Sequence, residues 1–477
     1  MKKHRLVVIG DSLSQGFMSG AIYRTDISYP VMIAEALGVL NEFIVPDFSG
    51  EGGLPLNLEL ILGELSDRYG ERINWWEYAT MLTVLQSRMD RTEDYWERGK
   101  GSKPYPQRAI HHNLSVWGFE VRDAYTVTEG VCRRQIPNAT DDWFKQVPEM
   151  PMYRTARRVL NPPFADDVME FHQIKCAKQL AEEGGIENLI VFLGANNALG
   201  TVTSLSIRHS SPDDLHKMPH ERTCNLYLPA HFKTIYEELA DHVEQIGADN
   251  VFVATIPHVT IPPVTRGVSK GRRRLQGGYF EYYTRPWVWD ENFDPEKHPH
   301  LTREEAKQID HFIDEYNKVV KETAQSRNWH VCDLAKTLDD LAYRRNQDAP
   351  SYQFPQGLRD ALKNNSNLKY LVNQEKVTLD SRFFTTQNKH PDKIAEGGLF
   401  SLDGIHPTTI GYGIIAHEFI TVMEAKGVTF PKKLAWDDIV KADTLINNPP
   451  KMMASLRDTL SFLDKRGLLS SILTQFH

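Results

Sequence analysis

The stretch "RLVVIGDSLSQG", residues 5–16, decides the fold. Leu6, Val7, Val8 and Ile9 make an unbroken apolar run, the pattern of a strand covered on both faces, and Gly10 ends it. Asp11, Ser12 and Leu13 follow at once. Open α/β sheets place their chemistry in the crevice beyond the carboxyl ends of their strands. Ser12 therefore stands where a nucleophile would be held, and equally where a plain turn serine could sit. What the rest of the chain supplies decides between the two.

Further buried strands are expected at "NLIVFLGANN" (188–197), "NVFVATIP" (250–257) and "WHVCDL" (329–334). Between them lie helical patterns at 29–38, closed by Gly38, at 54–70, 74–91, 168–183 and 230–247. The clearest amphipathic helix is 302–328, where Ile309, Phe312, Tyr316 and Val319 recur three or four apart. Residues 113–127 run from an extended segment through Gly118 into a short helix. Strands alternating with helices predict an α/β fold, a parallel sheet covered on both faces. Two stretches break the alternation: 258–300, rich in Pro, Arg and aromatics, and 340–400, polar throughout. Each follows a strand end on the edge that carries Ser12, where it would form either a rim over the site or a surface elaboration.

The chain has 477 residues, 41% hydrophobic and 25% charged, the profile of an ordinary soluble globular protein. A net charge of −8 offers no positive field for nucleic acid. The four cysteines, Cys132, Cys176, Cys224 and Cys332, are too scattered for a disulfide framework or a zinc site. His417-Glu418 starts like a zincin motif, but Thr421 stands where the second His should be. No metal or other cofactor is expected. The apolar run behind Lys2, Lys3 and Arg5 is too short for a signal peptide, and no stretch reaches membrane-spanning length, so a cytoplasmic protein is expected.

A serine that attacks a carbonyl needs a base, an orienter for the base and donors for the oxyanion. Asp403 and His406 stand three apart in "FSLDGIHPTTIGYG" (400–413). Pro407 biases His406 away from helical geometry and suits the first turn of a following helix. A loop ending on a helix start can fold Asp403 back to His406 Nδ1 and leave Nε2 for Ser12. Gly118, in a sharp turn, and Asn196, at the end of the most apolar strand, are candidate oxyanion donors together with the Ser12 N–H. Taken singly, Gly118 reads as a turn glycine and Asn196 as a cap.

In this order, Gly10-Asp11-Ser12-Leu13, Asn113-x-x-x-x-Gly118, Gly194-x-Asn196 and Asp403-x-x-His406-Pro407 resemble the motifs of the GDSL, or SGNH, hydrolases. The resemblance covers residues 5 to about 425. It implies a three-layer α/β/α sandwich around a five-stranded parallel sheet, flavodoxin-like in plan. It also implies ester or thioester hydrolysis through an acyl-serine, without cofactor. Ser12, Gly118, Asn196 and His406 would be the namesake residues and Asp403 the third member of the triad. The usual Asp after the third-block Asn is Asn197 here, and segments 71–112, 258–300, 340–400 and 430–477 are added. The expected organisation is a hydrolase domain over 1–430 and a helical extension over 431–477 packed on it. An α/β-hydrolase elbow, G-x-S-x-G, is not matched, since Ser14 replaces its second glycine.

The expected activity is that of a serine esterase or lipase on a small-molecule or lipid ester. A carbohydrate O-acetyl esterase and a non-catalytic binding module on the same fold are the alternatives. Three further features are read as structural. Arg272–Arg274 with Tyr279, Phe280, Trp287 and Trp289 form a solvated loop followed by core aromatics. Leu456, Leu460 and Leu463 mark a tail helix that packs on the body, and His298 and His300 are surface residues.

Overall fold

Val7–Gly10 forms β1, with all four residues buried, and its neighbours in the sheet are the later apolar runs. A computed structural model of the protein describes residues 3–105, 109–139, 147–268, 277–342 and 352–453. Arg272–Arg274 and the tail leucines Leu456, Leu460 and Leu463 lie outside them.

In chain order the framework is β1, α1 (Ser12–Gln15), α2 (Tyr29–Ala36), α3 (Gln173–Gly184), β2 (Asn188–Phe192), α4 (Asn196–Ser204), α5 (Pro229–Glu244), β3 (Asn250–Ala254), α6 (Arg303–Ser326), β4 (His330–Cys332), α7 (Leu334–Leu341) and α8 (Thr409–Ala425). The four strands are parallel in the order β1-β2-β3-β4, with Val7 beside Leu189, Leu189 beside Val251 and Phe252 beside His330.

Side chains alternate along a strand, and here both sets are buried. Val8, Ile190, Phe192 and Phe252 join one core with Tyr29 and Ile33 of α2 and Ile410 and Phe419 of α8. Val7, Ile9, Leu189 and Val251 join another with Ile174 of α3, Phe232 of α5 and Ile309 and Tyr316 of α6. Two covered faces explain why the strands read as continuous apolar runs rather than as alternation.

The sheet has four strands among the described residues, not the five expected. The fifth place is filled by an extended segment beside β1. Val8 N–H donates to the His112 carbonyl (2.8 Å), Leu114 N–H to the Val8 carbonyl (2.8 Å) and Val116 N–H to the Gly10 carbonyl (3.1 Å). The remaining ladder bond, from Gly10 N–H to Leu114, is missing. The Gln173 side-chain amide donates instead to both the Gly10 and Leu114 carbonyls, at 2.8 and 2.7 Å. With this segment counted, chain order across the sheet is 2-1-3-4-5, so the order reverses between β1 and β2. That reversal opens the crevice in which such sheets bind ligands.

The irregular regions have structure of their own. Residues Arg266–Val268, Tyr282–Thr284 and His300–Thr302 form a small antiparallel sheet. His298 and His300 are half-buried against Phe293 rather than surface residues. Trp287 is buried as a core aromatic, but Tyr279 and Phe280 are half-buried, Tyr279 donating to Asp310 Oδ2 (2.7 Å), and Trp289 is exposed, so the group is not a core cluster as a whole. The stretch read as polar holds a helix, Gln356–Asn364, whose Leu358 and Leu362 are fully buried. No helix among the described residues is long and apolar enough to cross a membrane.

Candidate active site

Ser12 is delivered by a single turn of helix at the end of β1. Asp11 caps that turn, its Oδ1 accepting from Leu13 N–H at 3.0 Å. The turn folds back so closely that a Cβ on Gly10 would lie 2.4 Å from Ser14 Oγ. Three contacts fasten it to its surroundings. The Ser14 hydroxyl meets the Tyr29 hydroxyl (2.7 Å), Asn113 Nδ2 donates to the Ser14 carbonyl (2.8 Å), and Trp117 N–H donates to Gln15 Oε1 (2.9 Å). Ser12 itself is buried. Neither its N–H nor its hydroxyl is hydrogen-bonded to another described residue.

The second component is the turn before α8. Asp403 Oδ1 accepts from the backbone of Ile405 and His406, both at 2.8 Å. Its Oδ2 accepts from Gly20 N–H (2.9 Å) and from His406 Nδ1 (3.0 Å). The contact from Nδ1 orients the ring, and Nε2 makes no hydrogen bond to a described residue. Burial pushes the Asp403 carboxyl up, but the His406 charge and the hydrogen bonds from His406 and Ile405 outweigh it and hold it below the ordinary value. The turn is tied to the loop behind Ser12, since Ser19 N–H donates to Ser401 Oγ (2.8 Å) and Leu402 N–H to Ser19 Oγ (3.3 Å). The Phe17 ring packs 4.6 Å from the His406 ring.

The third component comes from the other side of the crevice. Gly118 sits at φ +79°, a conformation that favours glycine, at the end of the segment beside β1. Its N–H has no acceptor among the described residues. Asn196 opens α4, and its Nδ2 donates to the Phe119 carbonyl at 2.8 Å. One hydrogen of that amide is thereby spent and one remains.

Ser12, Asn196 and His406 line one cavity of about 110 Å³. The remaining walls are mostly apolar, with Leu199 from α4, Leu338 and Leu341 from α7, and Ile414 and Ile415 from α8. Pro257–Val259 and Leu399–Phe400, at the margins of the two irregular stretches, complete it. Gly118 and Asp403 are not among the residues that line this cavity; Asp403 holds His406, and Gly118 directly precedes Phe119, whose carbonyl Asn196 holds.

A second histidine reaches the same cavity. His258 Nδ1 lies 3.0 Å from Asp339 Oδ1 and Nε2 lies 3.1 Å from Asp314 Oδ1. Both of its nitrogens are engaged by carboxylates, whereas His406 keeps one free. Of the two, His406 alone keeps a ring nitrogen without a hydrogen bond to a described residue.

Sequence reasoning did not single out His258, Gln15, Gln173 or Asp11. Asp11 is fully buried beside Ser12, and its Oδ2 has no partner among the described residues. Burial raises its carboxyl to about 7, against the Leu13 N–H and the His406 charge. A capping position between a strand and a short helix was readable; the burial was not.

No family model matches the chain, and no curated protein matches it. Among solved structures it is similar to the lipase/acylhydrolase from Enterococcus faecalis, at 16% identity over 54% of this chain and 68% of that chain, with a TM-score of 0.22.

Proposed function

We propose that this chain is a serine hydrolase that cleaves carboxylic esters of apolar acyl groups. The observation that carries this reading is the meeting of Ser12, the Asp403-oriented His406 and Asn196 on the wall of one apolar cavity. The ordered resemblance to the GDSL hydrolases supports it from the sequence side.

In this reading Ser12 Oγ attacks the acyl carbonyl carbon while His406 Nε2 takes its proton. The carbonyl π pair moves to oxygen, where the N–H groups of Ser12 and Gly118 and the remaining Asn196 Nδ2 hydrogen receive it. Asp403 steadies the imidazolium that forms. Collapse of the intermediate breaks the C–O bond to the alcohol, which leaves with the proton from His406. A water deprotonated by His406 then attacks the acyl-Ser12, and Oγ leaves with that proton.

The leucine and isoleucine walls favour an acyl group longer than acetyl. Each methylene buried contributes about 0.8 kcal/mol, so each two-carbon extension raises kcat/KM by up to about 15-fold until the cavity is full. The test is the mass of the intact protein after reaction with a fluorophosphonate, on wild type and Ser12→Ala, with p-nitrophenyl esters from acetyl to palmitoyl alongside. The expected result is one adduct, absent from the variant, and a preference above acetyl. No adduct on folded wild-type protein would leave a binding module, and turnover confined to acetate would replace the reading with an O-acetyl esterase.

A further inference from the structure

Asn197 is the one departure within the motif blocks, an amide where the GDSL pattern has a carboxylate, and its surroundings give it a task. Its Oδ1 accepts from Val121 N–H at 3.2 Å. That bond fixes which way the amide faces, so Nδ2 points at Glu120 Oε2, 3.4 Å away. The same Oε2 accepts from Arg222 Nη1 at 2.9 Å. Arg222 also holds both oxygens of Asp123, at 2.5 and 3.0 Å, and Asp123 Oδ2 accepts from Glu120 N–H at 2.8 Å. Arg222 and Asp123 are deeply buried and Glu120 nearly so.

Two carboxylates already share one guanidinium here. A third at position 197 would face Glu120, which among the described residues is offset by Arg222, whereas an amide supplies a donor. Asn196 holds the Phe119 carbonyl from the preceding position. Adjacent residues at the start of α4 therefore clamp Phe119, Glu120 and Val121, the three residues that follow Gly118.

We infer that Asn197, Glu120 and Arg222 form a buried lock that sets the spacing between the Gly118 N–H and the Asn196 amide. They act as positioning residues for the oxyanion site. The inference rests on the hydrolase reading above. Removing one oxyanion donor typically costs about 10²–10³ in rate, and a misplacement of about 1 Å costs about 10².

The test compares Asn197→Asp with the double variant Asn197→Asp/Glu120→Gln, in which donor and acceptor trade places at constant charge. Turnover of p-nitrophenyl butyrate is divided by the Ser12 sites titrated with fluorophosphonate, and thermal unfolding is followed for each protein. In Asn197→Asp, kcat per titrated site should fall about 10- to 100-fold with KM within about threefold, and the double variant should recover most of it. A purely structural role would lower the titratable fraction and the melting temperature but leave kcat per site unchanged; that result overturns the lock. So does a folded double variant as slow as the single. If Asn197→Asp does not fold, Asn197→Ser removes the amide without adding charge, and its kcat per site must fall without recovery by Glu120→Gln. Absence of any adduct on folded wild-type protein overturns the hydrolase reading and the lock together. An adduct with Asn197→Asp turning over at the wild-type rate overturns the lock alone.

Discussion

Two buried carboxyls flank His406, and the structure treats them in opposite ways. Asp403 receives two backbone N–H groups and the imidazole from its own turn and a third N–H from Gly20. Asp11, at the end of β1, receives one N–H and has an oxygen with no partner among the described residues. Burial acts on both. At Asp403 the donors and the His406 charge outweigh it, and the carboxyl stays ionised well into acid. At Asp11 they do not, and the carboxyl is raised to about 7. Donors within reach, not depth, decide which of two neighbouring aspartates carries a charge.

The same conservative change should therefore have opposite consequences at the two sites. In the proposed hydrolase, Asp403→Asn keeps the shape of the turn but offers His406 Nδ1 an amide, which can impose the wrong tautomer. By analogy with other serine triads this costs roughly 10³–10⁴ in kcat. Ester turnover per titrated Ser12 measures it, and a loss of less than about tenfold would remove Asp403 from the orienting role.

At Asp11 the change should stabilise. A carboxyl raised from 3.8 to about 7 is neutral in the fold while the unfolded chain ionises. Below about pH 4 both states are protonated and nothing is gained or lost. As pH rises to about 7 the unfolded state is progressively favoured, by up to about 4 kcal/mol at 1.36 kcal/mol per unit, and the penalty is constant above that. Asn can keep the capping bond to Leu13 N–H. Chemical denaturation from pH 4.5 to 8 should show Asp11→Asn gaining on wild type up to about pH 7. A pH-independent difference would mean that Asp11 is ionised in the fold.

This contrast marks how far the sequence could be read. The apolar runs of β1, β2 and β3 and the residues at their ends were legible because a buried parallel strand has no polar face to confuse the pattern. So was the Asp-x-x-His-Pro turn, since proline restricts the residue before it. The fifth sheet position was legible as an extended segment, but not its failure to complete a ladder. That depends on the Gln173 amide, which arrives from a helix some sixty residues later. The helix at 334–341 was hidden because its first residue closes an apolar strand pattern. The unequal treatment of Asp11 and Asp403 depends on which backbone N–H groups converge in space, and no local spacing encodes that.

The smallest expected effect tests the support behind Asp403 rather than the carboxylate itself. Ser401 Oγ is the acceptor for the buried Ser19 N–H (2.8 Å), next to the Gly20 N–H that reaches Asp403. Ser401→Ala leaves the Ser19 N–H unsatisfied, at a cost of about 1–3 kcal/mol. Loosening of the 19–20 loop should also weaken the Gly20 donor. A carboxyl depressed in the fold contributes stability that is present above its unfolded value and lost as pH falls through its folded value. With one donor weakened, the folded value moves up toward the unfolded one and the contribution shrinks. Ser401→Ala should therefore be less stable than wild type at neutral pH, with a smaller difference in strong acid, where Asp403 is protonated in both proteins. Unfolding at pH 7 and at a pH below the folded value of Asp403 checks this. A deficit that is the same at both would place the whole cost in the Ser19 N–H and none in the charge of Asp403.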